Sequence, residues 1–223
     1  MIFLRHRNPF LYINMSKGNI YKLELNKIIY KKGGLRVADV FEMIFYGRGG
    51  QGVKTASQMV ADSFVKENFF IQSFPEYGPE RAGAPVKAFT RISKNPIRIH
   101  CPVDEANMVV VIDPTLIGQI NVTEKIQKDG ILIVNSEKPK DELKKELKYT
   151  GKLYCLDANK ISQEIFGKKL PNIVMLGAMS KIYPELKLDS VKDEIKTKFQ
   201  EKLGDLGVKK NFDMLERGFR EVL

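Results

Sequence analysis

Residues 46–52 read Y-G-R-G-G-Q-G, which sets Gly47, Gly49 and Gly52 at the G-x-G-x-x-G spacing of a phosphate-cradling loop. The apolar residues 43–46 precede it and a helix-like run follows, so the loop lies between a strand and a helix start. In that setting Gly47 makes the turn, Gly49 lets a diphosphate approach the backbone, and Gly52 lets helix and strand pack closely. Backbone amides at the helix start, preceded by Gly50 and Gln51, then face an anion. The plainer alternative is a loop that only turns the chain.

A dinucleotide dehydrogenase needs a carboxylate about 20 residues further on, at the end of the second strand, to hold the ribose hydroxyls. That strand reads as residues 69–74 and ends in Ser73 and Phe74, with Glu76 beyond Pro75 as the nearest acid. A stand-alone NAD(P)-binding oxidoreductase is therefore disfavoured. No G-K-[ST] closes the loop either, because Lys54-Thr55 follows the third glycine, so it is not a P-loop. The next polar candidates are Glu76, Glu80 and Arg81, in a proline- and glycine-rich loop over residues 75–85, which serve either as an ion pair within the loop or at a ligand crevice. Asp113, at the end of a Val-rich run, points to the same edge of a sheet, and also reads as a helix cap.

No self-contained catalyst assembles from the rest. His6 and His100 give neither a Ser-His-Asp or Cys-His set nor a zinc site. Cys101 and Cys155 cannot supply the four thiolates of a four-iron cluster, and both read as small buried hydrophobes on strands. No G-D-G with a following N-N, the magnesium-holding pattern of thiamine diphosphate enzymes, is present; Gly204-Asp205-Leu206 stands too near the end. No catalytic or metal residue is assigned, and the chain reads as a component of something larger.

The 223 residues, 43% hydrophobic and 29% charged, suit one globular domain with an appendage. No apolar stretch approaches the roughly 18–20 residues of a membrane span, nor is there a signal h-region, which makes the cytoplasm the expected location. The net charge of +10 is unevenly spread: residues 1–42 hold 8 Lys and Arg against 3 Asp and Glu, half of the excess. Elsewhere the charges form mixed runs such as residues 137–146, a solvated helix face, and no aromatic-basic stripe suggests nucleic acid.

The elements that would position the loop follow from periodicity. Residues 43–46, 69–74, 108–112, 130–135 and 153–157 read as strands, the third as one buried on both faces of a parallel sheet. Residues 86–92 and 97–100 read as a hairpin around Lys94-Asn95-Pro96. Helices are expected over 53–66, 158–166, 172–182, from a cap at Ser190, and over 210–222. The sum is a three-layer α/β domain over 43–223, with a mostly parallel sheet, an antiparallel hairpin excursion and a helical C-terminal portion. Residues 1–42 stand apart, without sustained periodicity. They read either as a basic arm or as a product of start-site choice, with Val37 or Met43 as the alternative start; peptide mapping of the native N-terminus decides.

Three motifs together, G-R-G-G-Q-G at 47–52, F-P-E-Y-G-P-E-R-A-G-A-P-V at 74–86 and D-P-T-L at 113–116, resemble the gamma subunit of 2-oxoacid:ferredoxin oxidoreductases in order and spacing. The resemblance covers about residues 43–220, and the long middle motif is the most specific. It implies a complex that oxidatively decarboxylates a 2-oxoacid, passes electrons to ferredoxin and releases an acyl-CoA. Thiamine diphosphate, magnesium and four-iron clusters would sit on alpha, beta and delta partner subunits. This chain would help form the coenzyme A site through Gly47, Arg48, Gly49, Gly50, Gln51 and Gly52, with Arg48 or Lys54 screening phosphate charge. It would also brace the thiamine-binding subunits, with Glu80 and Arg81 fixing their loop against a neighbour. Ala84-Pro85-Val86 resembles the pyruvate and branched-chain types, and pyruvate is the first expectation. A pure scaffold remains the competing reading, for which the apolar segment 173–179 would be a subunit interface.

Overall fold

The computed structural model describes residues 28–31, 34–37, 40–76 and 83–223. It divides into two units, Met1–Ala38 and Asp39–Leu223. In the first, β1 (Ile28–Lys31) and β2 (Gly34–Val37) form an antiparallel pair; the remainder of the N-terminal extension lies outside the described residues.

The second unit is built on six strands: β3 (Val40–Arg48), β4 (Phe70–Glu76), β5 (Pro85–Ser93), β6 (Ala106–Val111), β7 (Ile126–Asn135) and β8 (Lys152–Leu156). Their order across the sheet is β4-β5-β3-β6-β7-β8. β3, β6, β7 and β8 run parallel, and β5 lies antiparallel between β4 and β3. Apolar residues on both faces explain the parallel half: Met108 to Val111 and Leu132 to Val134 are fully buried.

The hairpin is displaced from its sequence-based position. Its two arms are β4 and β5, with Phe70 opposite Ser93 and Glu76 opposite Lys87. Residues 97–100 form no strand. Both edges of β5 are already paired, with β3 and with β4, so no edge is left for them.

Four helices cover one face: α1 (Val53–Val65), α3 (Ala158–Phe166), α4 (Pro171–Ile182) and α5 (Leu188–Glu221). The other face is covered more thinly, by α2 (Lys140–Leu147), a 3-10 turn at Pro114–Leu116 and the segments around Val103 and Val122. The three layers are therefore unequal.

α4 is buried from Ile173 to Ser180, and its cover is intrachain. A Cβ on Gly177 would meet the Leu215 carbonyl of α5, and one on Gly218 would meet the Val174 carbonyl of α4. The two helix backbones thus approach through reciprocal glycines, so the apolar segment is a helix crossing and not a subunit interface. α5 starts at Leu188 without a side-chain cap, two residues before the expected Ser190, and is interrupted only at Gly204 (φ 62°). Of the two cysteines, Cys155 is buried on β8 as expected, whereas Cys101 is exposed and on no strand.

Among the described residues no helix is long and apolar enough to cross a membrane. One charged side chain lies deep in the sheet. Arg91 of β5 is 1% exposed, pairs with Glu42 of β3 at 2.7 Å, and donates to the Cys101 carbonyl at 2.7 Å, tying β5 to β3 and to the segment beyond it. Sequence periodicity gave no sign of it.

Candidate functional site

The chain turns from β3 into α1 at the carboxyl edge of the sheet, between β3 and β6. Here the connections leave in opposite directions, through α1 toward β4 and onward through β6 toward β8. In open α/β sheets this is where ligands bind.

The glycines divide the work differently from the motif's usual assignment. Gly47 is still part of β3, and a Cβ there would stand 2.5 Å from Val53 Cγ2 and 3.4 Å from Ile112 Cβ, so it provides the close strand–helix packing. The turn is made by Gly50 (φ 93°) and Gly52 (φ 73°), conformations that favour glycine. A Cβ on Gly52 would meet the Asn172 amide at the start of α4, whereas one on Gly50 would meet nothing within 4 Å among the described residues. Gly49 is exposed, and its N–H donates to the Ala84 carbonyl at 3.1 Å, tying the loop to the start of β5.

Arg48 and Gln51 are engaged within the chain. Arg48 donates through Nε to Thr115 Oγ1 (3.1 Å), through Nη1 to the Gly83 carbonyl (3.1 Å) and through Nη2 to Gln119 Oε1 (2.8 Å). Gln51 accepts the Arg48 backbone N–H at Oε1 (2.8 Å) and donates from Nε2 to Asp113 Oδ2 (2.5 Å). Asp113 follows β6 and is buried; its Oδ1 also accepts from the N–H and hydroxyl of Thr115, and its Oδ2 lies 3.5 Å from Arg48 Nε. Of the two sequence readings of Asp113, the helix cap holds, since it caps the 3-10 turn; the residue also follows β6 beside the loop. Burial pushes its carboxyl up, but the hydrogen bonds from Thr115 and Gln51 and the charge of Arg48 outweigh that and hold it below its ordinary value. Asp113 is thus an anion fixed behind the loop. On the same strand as the loop, burial first, with Glu124 and Glu76 adding, pushes the Tyr46 hydroxyl up to about 12 and keeps it neutral.

What stays open is the start of α1. The intrahelical ladder begins with Ala56 N–H on the Gly52 carbonyl at 2.8 Å, so the N–H groups of Val53, Lys54 and Thr55 precede it. Gly52 offers no side-chain cap, no acidic residue occupies the first turn, and Lys54 is exposed. Amide donors, positive dipole end and a nearby ammonium suit a phosphate group. Among the described residues, Arg48 thus straps the loop and Lys54 is an exposed cation at the start of α1. Glu80 and Arg81 lie outside the described residues. Among the described residues no group of three or more His, Cys, Asp or Glu could hold a metal ion.

Sequence reasoning missed Asn135 and Gln119. Asn135 ends β7 fully buried, donates to the Ile112 carbonyl (2.8 Å) and accepts the Ala158 N–H (3.0 Å), joining the end of β6 to the start of α3. A polar residue closing an apolar strand was its one visible signal. Gln119 carried none, since only the fold brings it to Arg48.

Comparison with known proteins gives a consistent result. A family model described as pyruvate ferredoxin/flavodoxin oxidoreductase matches residues 42–221. The pyruvate/ketoisovalerate oxidoreductases common subunit gamma of Thermococcus kodakarensis is 43% identical over 185 residues, covering 82% of this chain and 98% of that one. The pyruvate synthase subunit PorC of Thermotoga maritima is 37% identical over 182 residues, covering 82% and 94%. The crystal structure of the pyruvate oxidoreductase subunit PORC from Thermotoga maritima superposes with a TM-score of 0.74 at 34% identity, covering 83% of this chain and 98% of that chain. A 2-oxoglutarate:ferredoxin oxidoreductase from Magnetococcus marinus, solved with 2-oxoglutarate, coenzyme A and succinyl-CoA bound, shares the fold at a TM-score of 0.68 and 17% identity; the match spans 81% of this chain and 30% of that one.

Proposed function

The chain belongs to the pyruvate ferredoxin/flavodoxin oxidoreductase family as a gamma subunit, and we propose that in its complex it holds the phosphates of coenzyme A at the start of α1. The reaction of that complex is pyruvate with coenzyme A and oxidised ferredoxin going to acetyl-CoA, carbon dioxide and reduced ferredoxin. Thiamine diphosphate with magnesium, supplying the decarboxylation chemistry, and the four-iron clusters lie on the alpha, beta and delta partners. The observation that carries the reading is that, among the described residues, nothing stands beside Gly50, next to the amides of Val53, Lys54 and Thr55 that no side chain caps. Arg48, Gln51 and Asp113 brace the loop from behind, and the Gly49 N–H is held by the Ala84 carbonyl.

The role of these residues is positional. Phosphate binding remote from the reacting thiol fixes that thiol relative to the neighbouring subunit, which lowers the barrier by limiting its freedom. The pocket for the 2-oxoacid lies on other subunits. The name of the Thermococcus relative, a subunit common to pyruvate and ketoisovalerate oxidoreductases, supports a gamma chain that does not select the acid. A branched-chain 2-oxoacid is accordingly the second reading for the substrate.

The test is Gly50→Asp in the assembled complex, which sets a carboxylate among the amides. Titration calorimetry is expected to show coenzyme A binding weakened about tenfold or more, with kcat at saturating coenzyme A little changed. Unchanged affinity in an intact complex would leave this chain as a scaffold.

A further inference from the structure

The stretch between β5 and β6 has the pattern of a strand and none of its pairing. Burial alternates along residues 97–100: Ile97 and Ile99 are half-buried, Arg98 and His100 exposed, the period of two that a strand shows on a half-covered surface. No turn or bend interrupts residues 96–100. Among the described residues, the main-chain N–H and C=O groups of residues 97–100 meet no hydrogen-bonding partner. β5 cannot take them, since β3 and β4 occupy both of its edges. Such a row of unmet backbone groups is a template for one more strand.

Both ends of the stretch are held. At the far end, Arg91, 1% exposed, donates through Nη2 to the Cys101 carbonyl at 2.7 Å, while its Nε holds Glu42 at 2.7 Å and its Nη1 reaches Gln72 Oε1 at 3.3 Å. A buried guanidinium–carboxylate pair adds little net stability over apolar packing. Here it adds position, since a cation fixed among β3, β4 and β5 sets where residue 101 lies. At the near end, the Asn95 N–H donates to Ser93 Oγ at 3.0 Å, and Lys94 Nζ sits 3.4 Å from the Phe69 ring centroid. The middle is therefore presented in place, with its backbone open.

The charge of the stretch is one-sided. Residues 94–103 include Lys94, Arg98 and His100 and no carboxylate. The next acid, Asp104, pairs with Lys125 at 3.2 Å. A second copy of the stretch laid antiparallel would set basic side chain against basic side chain, whereas an acidic strand would set carboxylates opposite Arg98 and His100.

We infer that residues 97–101 are a docking strand, which pairs through its main chain with an extended acidic segment of another subunit of the complex. The inference rests on the chain's place as a gamma subunit and is independent of where coenzyme A binds. Main-chain bonds supply the attachment, and Arg98 with His100 supplies the selectivity.

The experiment captures the occupant directly. The assembled complex carries the photo-crosslinking residue p-benzoylphenylalanine in place of His100, and the captured peptide is identified by mass spectrometry; an acidic segment of another subunit is expected. In the parent complex, exchange of alternate amides over residues 97–101 is expected to run about tenfold or more slower than in unpaired chain. Arg98→Glu, a change at an exposed position, is expected to keep the parent's unfolding midpoint and to raise the dissociation constant of this chain from the complex about tenfold. Added salt weakens the parent's attachment and leaves that of the variant little changed. Capture of a second copy of this chain, of residues 1–27 of the same chain, or of a basic or uncharged segment overturns the inference. Unslowed exchange in a complex of intact stoichiometry overturns it as well, as does an Arg98→Glu variant that is held as tightly as the parent.

Discussion

Two glycine-bearing regions of this chain use the missing side chain in opposite ways. At the α4–α5 crossing, Gly177 and Gly218 are filled by the facing helix's own carbonyls. At the β3–α1 turn, Gly47 and Gly52 are likewise closed, by Val53 and Asn172, but Gly50 meets nothing within 4 Å among the described residues. A glycine pattern in sequence does not tell these apart. The space where a Cβ would stand does: closed glycines bring protein to protein, whereas Gly50 meets no described residue.

The comparison is broken most forcefully at the crossing. Gly218→Ala drives a methyl group into the Val174 backbone, and Gly177→Ala into that of Leu215, where neither helix can yield without shifting against the sheet. Each is expected to cost about 3 kcal/mol, the upper part of the range for overpacking. Chemical denaturation of the purified subunit reads this directly, and a loss under 1 kcal/mol would show that the helices slide freely. Gly52→Ala is intermediate. It meets strain at φ 73° and the Asn172 amide, a side chain that can move aside, for about 2 kcal/mol in the same measurement.

The apolar runs of β6, β7 and β8 and the 3.6-residue pattern of α1 and α3 were legible because burial on two faces or on one stripe writes itself into local spacing. What failed involved partners distant in sequence. The segment Lys94-Asn95-Pro96 carries turn chemistry, yet β5 had both edges taken and the hairpin formed on its other side. The apolar α4 was readable as buried, but its cover, Gly218, stands in the last helix. In the candidate site the loop and Asp113 were visible at strand ends. The strapping of Arg48 to Thr115 and Gln119 was not, since both reach it only through the fold.

Asp113 sharpens the comparison from the closed side of the loop. Its folded pKa lies below the unfolded value, so the stabilisation it provides is complete above about pH 4 and is lost as pH falls through the lower folded value. Asp113→Asn removes the charge that Arg48 and the Thr115 and Gln51 donors are arranged around. A loss of about 1–2 kcal/mol at neutral pH is expected. Below pH 4 the gap between variant and parent narrows; a gap constant across that range would mean that the carboxylate is not the group holding the loop.

Gly50→Ala carries the smallest stability effect and the most information. Among the described residues no atom stands within 4 Å of the added methyl, so the expected cost is left-handed backbone strain at φ 93°, about 1 kcal/mol. If the loop serves only to pack, that small loss is all the substitution does. If the amides beyond Gly50 hold phosphate, the same methyl narrows the open space and weakens coenzyme A binding by several-fold, an effect out of proportion to its stability change. Gly52→Ala is expected to show the reverse order, with stability falling first and affinity following only as far as the loop is disturbed. The ratio of the two effects, measured by denaturation and calorimetry on the same preparations, thus distinguishes an open glycine from a closed one two residues away.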